Sequence, residues 1–78
     1  MTADTSAIAN AVKRTVAEIH PDPEFRGLLY RTIVDAAQRQ VVESVLKYHH
    51  GNQVHSAKHL GINRNTLRKL IRRYQIIF

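Results

Sequence analysis

The side chains with the most chemistry to offer are cations gathered at one end of the chain. Arg64, Arg68, Lys69, Arg72 and Arg73 crowd a short stretch, with Thr66 among them and Asn63 just before it. Guanidinium and ammonium groups in this density do one kind of work well: they donate hydrogen bonds to phosphate oxygens and to the acceptor edges of bases. From Val45 to Phe78 there are seven Lys/Arg and no Asp or Glu, whereas the first 44 residues carry five Lys/Arg against six acids. The formal net charge of +6 therefore sits on the C-terminal part. Solvated surfaces normally mix signs. A segregated positive field calls for a polyanionic partner, and nucleic acid is the partner that suits a pI near 10.3.

Catalysis is not expected. The chain has no cysteine and no glycine-rich phosphate loop, and its carboxylates (Asp4, Glu18, Asp22, Glu24, Asp35 and Glu43) are scattered rather than paired near a nucleophile. His55 and His59 stand four apart and could share a metal ion. No cysteine or carboxylate near them supplies a third ligand, so no metal and no cofactor is expected. His49 and His50 read as a helix C-terminal pair facing the dipole.

The cations need a scaffold, and the surrounding sequence spells one. Asn52 suits the N-cap of a helix over residues 53–60, Gly61 a tight turn with positive φ, and Asn63 the N-cap of a helix over residues 64–74. Ala57 is the small residue where two helices cross. Leu60 and Ile62 flank the glycine, Leu67 and Leu70 are placed to face inward from the second helix, and Ser56 stands where an apolar residue is commoner. This is the pattern of a helix-turn-helix over residues 51–74. Its second helix presents N-terminal residues to base edges in a major groove. Arg64 is placed to donate two hydrogen bonds to guanine. Thr66 can meet a thymine methyl or a phosphate, and Lys69, one turn on, a base or the backbone. Arg68, Arg72 and Arg73 read as phosphate contacts, which position without specifying. Asn52, His55 and Asn63 lie at or near helix N-termini, where amides and the dipole favour a phosphate.

Upstream, Ile8, Val12, Val16 and Ile19 recur at helical spacing, which predicts a helix over residues 6–20, with Asp4, Thr5 and Ser6 as candidate caps. Pro21 and Pro23 end it. A second helix is predicted from Glu24 to Tyr48. Leu29, Ile33, Ala36, Ala37, Val41, Val45 and Tyr48 form its stripe, and Leu28, Val34, Val42 and Leu46 widen it beyond one face. A helix apolar on two sides must be covered on two sides. The other reading is a monomer in which the C-terminal helix pair alone covers it. A second copy is the simplest extra cover, and it also supports a chain of 78 residues that is marginal alone. The expected fold is one all-α domain of four helices, residues 1–78. Residues 6–48 would form an intertwined four-helix dimer core around Val12, Val16, Leu29, Ile33, Ala37, Val41 and Val45. The last residues, Gln75 to Phe78, are expected to fold back onto it. No signal peptide and no apolar run of about 18 residues is present, so no membrane is expected and a cytoplasmic setting is.

The stretch Gly51-Asn52-Gln53, then Ala57, then Gly61-Ile62-Asn63-Arg64-Asn65-Thr66-Leu67-Arg68-Lys69 and Arg72-Arg73-Tyr74 resembles the Fis family, bacterial nucleoid-associated factors for inversion stimulation. The same helix-turn-helix ends the NtrC-type response regulators. The likeness is specific over residues 51–74 and looser back to Ser6. It implies an all-helical homodimer that binds double-stranded DNA. The recognition helices sit closer together than one turn of straight DNA, so binding bends the duplex and favours a compressible A/T-rich centre. Carried over residue by residue, Arg64, Thr66 and Lys69 would be groove contacts, and Asn52, Asn63, Arg68, Arg72 and Arg73 backbone contacts. The chain departs from the family at Val54 and His55, where a basic or hydroxylated pair is usual, so the flank contacts are expected to be weaker, or pH-sensitive through His55. It also has Arg39-Gln40-Val41 where many members have a proline, which predicts a straighter helix. Only about five residues precede the first helix, too few for the β-hairpin arm that activates recombinases in the best-known members. Contacts with RNA polymerase or a recombinase would be additional to DNA binding. A local, sequence-specific transcription regulator with the NtrC-type motif is the competing reading, since the fold is the same.

Overall fold

The computed structural model describes residues 4–78 and is all-α among them, with helices α1 (Ser6–Ile19), α2 (Leu29–Tyr48), α3 (Gln53–Leu60) and α4 (Arg64–Tyr74). The arm expected to be absent depends partly on Met1 to Ala3, which lie outside the described residues. The chain divides into two compact units, one ending at Asp35 and one running from Ala36 to Phe78.

In the first unit, the Asp4 carboxylate accepts the Ser6 amide at 2.9 Å, and this bond holds its carboxyl below the usual carboxylate range. Thr5, at the cap position, makes no side-chain bond. α1 ends at His20 as its pattern implies, and none of its residues is buried. The second helix starts later than predicted. Asp22 accepts the Glu24 amide at 2.9 Å and opens a short 3₁₀ turn, Pro23–Phe25. Gly27 then takes φ +79°, a left-handed conformation that no α-helix can contain. Helical pairing therefore begins at Leu29 rather than Glu24. From there α2 runs through Arg39-Gln40-Val41 unbroken.

The second unit holds the core. Val42 and Leu46 from α2, Ala57 from α3, Leu67 from α4 and Ile76 from the tail are buried together. Leu60, Ile62, Leu70, Ile71 and Tyr74 pack against them. Leu46 and Leu67 are wholly covered, each worth about 1.5–3 kcal/mol of burial. The α2 residues that reach this core are thus two of those that widened the stripe. Val41, in the stripe itself, stays 50% exposed. Tyr74 donates its hydroxyl to Gln38 Oε1, joining the end of α4 to α2.

Each turn follows from its residues. α2 closes through His50 and Gly51, at φ 53° and 83°, with the Gly51 amide donating to Leu46 O at 2.8 Å. The Phe78 ring lies over Gly51, where a Cβ would come within 2.8 Å of it. Gly61 takes φ 75° at the end of α3, and its amide returns to Ala57 O at 2.9 Å. Gln75 is also left-handed and reverses the chain, so Ile76 is buried as expected of a tail that folds back, while Ile77 points away at 87% exposure.

Ser56 is the one polar residue in the buried set of the described residues, and its Oγ has no hydrogen-bond partner. A buried hydroxyl without a partner costs about 1–3 kcal/mol, and alanine is also the better helix former. Ser56→Ala is therefore expected to raise stability by about 1 kcal/mol in chemical denaturation. A loss of stability would mean the hydroxyl is bonded after all.

Candidate nucleic-acid interface

The N-caps that shape the motif fall where the sequence places them. Asn52 Oδ1 accepts the His55 amide at 3.0 Å and Asn63 Oδ1 accepts the Asn65 amide at 2.7 Å. Both side-chain oxygens are thus committed to their own helices, and the NH₂ groups are the donors left to a ligand. Asn52, His55, Asn63, Arg64, Thr66, Arg68, Lys69, Arg72 and Arg73 are all exposed.

At 3.6 residues per turn, the inward set Leu67, Leu70, Ile71 and Tyr74 leaves the opposite face of α4 to Asn65, Lys69 and Arg72. Arg64 and Arg68 flank that face on one side, Thr66 and Arg73 on the other. Arg64 and Arg68 line an open groove with Gly51, Asn52, Gln53 and Val54. Arg68 and Arg72 line a second with Gln53 and Ile71. A row of three guanidinium groups one turn apart thus runs beside the start of α3, whose free amides add a partial positive charge. Within the row Arg68 and Arg72 have the spacing and sign for successive phosphates, and Arg64 stands at the helix start, where a base edge would lie, with the rest of the α4 face standing clear of the unit. Lys69 and Thr66 project from this clear face, away from both grooves' linings.

Two residues were missed by sequence reasoning. Asn65 sits mid-face on α4 and is exposed, and its side chain can donate to and accept from adenine. Gln53 lines both grooves. A helical projection of residues 64–74 would have found the first. The second depends on how α3 meets α4, which no periodicity encodes.

The histidines also depart from expectation. His55 and His59 do not stand alone on α3. The reversal at His50 and Gly51 brings His49 back beside them, with its Nε2 3.0 Å from His59 Nδ1 and its ring stacked on His55 at 6.1 Å. No group of three or more ligands able to hold a metal ion is gathered among the described residues.

Fold and face together define a helix-turn-helix protein with a cationic second helix. The model of the bacterial regulatory protein Fis family matches residues 33–74. The chain is 32% identical over 68 residues to a DNA-binding protein Fis of Actinobacillus succinogenes, covering 87% of this chain and 67% of that one. It is 37% identical over 68 residues to the DNA-binding protein Fis of Haemophilus influenzae, with the same coverage. It is 36% identical over 56 residues to a putative Fis-like DNA-binding protein of Ralstonia nicotianae, covering 72% of this chain and 73% of that one. No solved structure matches. The chain belongs to the Fis family. Among the described residues no helix is long and apolar enough to cross a membrane.

Proposed function

We propose that this protein binds double-stranded DNA as a homodimer, bends it, and serves as a nucleoid-associated transcription regulator of Fis type rather than as an enzyme. The observation that carries the reading is the exposed outer face of α4, where five cations stand with no Asp or Glu side chain between residue 45 and the C-terminus. In this reading α4 enters the major groove. Arg64, Asn65, Thr66 and Lys69 meet base edges there. Arg68, Arg72, Arg73 and the amides of Asn52 and Asn63 hold the backbone, with His55 at the flank.

Support for the dimer comes from what one chain leaves open. Ile8, Val12, Leu28, Val34 and Val41 are between 39% and 64% exposed, and Ala37 is exposed as well. Val16, Leu29, Ile33 and Val45 are only half-buried. Apolar residues at helical spacing along two helices, left in water, call for a partner surface of the same kind. Two α4 helices related by a twofold axis would then read two half-sites, and the DNA would bend to meet both.

A salt titration of binding to a short duplex tests the electrostatic half directly. Three phosphate-facing guanidinium groups per chain, six per dimer, give an expected slope of about −5 in log affinity against log salt. Affinity that does not change with salt would remove the phosphate contacts from the mechanism.

A further inference from the structure

We propose that His49, His55 and His59 form a proton-responsive junction between α2 and α3 that ties DNA affinity to pH. The affinity half rests on the DNA-binding reading above; the stability half does not.

The junction is built from both sides of one turn. His49 follows the last residue of α2, and His55 and His59 lie one turn apart on α3. His49 Nε2 and His59 Nδ1 are 3.0 Å apart, a hydrogen-bond distance that requires one of the two nitrogens to be without its proton. The Tyr48 ring packs edge-on against both His49 and His59, with centroids at 5.2 and 6.0 Å. The groups around His49 are thus His55 and His59 from α3, the neighbouring His50, and the phenol of Tyr48 from α2. Lys58 adjoins His59 in the last turn of α3.

With Lys58 beside it and its imidazoles gathered on one another, the junction resists a full load of protons. The packing around His49 withdraws water from its ring, and His59, His55 and His50 repel a charge on it, so its pKa lies below the ordinary 6.5. The His49–His59 hydrogen bond is lost when both of its nitrogens carry a proton.

The signs follow. The unfolded chain protonates His49 near 6.5 and the folded chain resists it. The contribution to stability is therefore complete above about pH 6.5 and falls as pH drops through that value toward the lower folded pKa. DNA acts in the opposite sense. A phosphate at the α3 N-terminus, beside His55, offsets the repulsion that a charge on His49 meets. Binding then takes up protons, and affinity rises as pH falls. The cluster is thus loosened by acid when the protein is free and favoured by acid when it is on DNA. Only two imidazole nitrogens converge and they bond each other, so proton exchange rather than metal ligation is the chemistry this arrangement favours.

The test measures melting temperature and duplex affinity from about pH 7.5 to about pH 5.5, in EDTA, for the wild type, His49→Gln and His59→Gln. The wild type should lose melting temperature while gaining severalfold in affinity. Both variants should bind as the wild type does at about pH 7.5 and show flatter profiles in both readouts. Wild-type profiles that either substitution leaves unchanged would overturn the proposal. In a parallel buffer without EDTA, a rise in melting temperature on adding zinc that His49→Gln abolishes would overturn it too, because the cluster would then be a metal site. Binding to no duplex at any pH, with the stability profile as expected, would refute the DNA-binding reading and the affinity half with it. It would leave the proton-linked junction standing.

Discussion

Val41→Asp is expected to abolish the dimer and the fold together. In a single chain Val41 is 50% exposed, and an exposed helix position tolerates such a change within about 0.5 kcal/mol, with a similar small cost in helix propensity. If Val41 instead packs against a second copy, the aspartate is a charge buried without a partner, which costs about 3–5 kcal/mol per site. A twofold dimer carries the change twice. Domains of this size hold only about 5–10 kcal/mol in total. The apolar core of the second unit is too small to absorb the loss, resting on Val42, Leu46, Ala57, Leu67 and Ile76. Circular dichroism and sedimentation at micromolar concentration should show loss of helix and of dimer at once, and Val45→Asp should behave alike. A helical, well-folded monomer would disprove the shared core.

Arg64→Ala is the second large effect, and its signature lies in discrimination. Arg64 opens α4, is exposed and borders the groove at the start of α3. From there a guanidinium can donate twice to one guanine, which is worth about 1–3 kcal/mol against the wrong base. The variant should lose that much on its preferred site and little on others, so the spread among duplexes narrows. Arg72→Ala is the contrast. Arg72 sits two turns further along α4, at the second groove. Its loss should weaken all sequences alike and flatten the salt slope by about one unit per subunit. Equal losses across sequences for Arg64→Ala would make it a backbone contact.

How much of this was legible in the sequence depends on how local the cause is. The bounds of α3 and α4 could be read from Asn52, Gly61 and Asn63 because caps and left-handed turns act within a few residues. The start of α2 could not. Glu24 looks helical in isolation, but the Asp22 cap, the 3₁₀ turn and the left-handed Gly27 jointly delay helical pairing by five residues. The α4 face was legible in its cations and not in Asn65, which has no charge to draw the eye. The histidine junction was the least legible. His49 and His59 are ten residues apart, and only the reversal through His50 and Gly51 makes them neighbours. Ser56 stands out from the sequence as a polar residue in the motif, while its burial without a partner emerges only from packing.

The most direct measurement is a gel-shift titration with two duplexes that share their flanking G and C positions and differ only in an A/T-rich or G/C-rich centre. A bending dimer compresses a centre that it does not touch, so it should bind the A/T-rich duplex more tightly, with a steep loss on adding salt. Equal affinity for the two would contradict shape reading and leave a local regulator that reads bases alone. Failure to bind either at low salt would contradict DNA binding altogether.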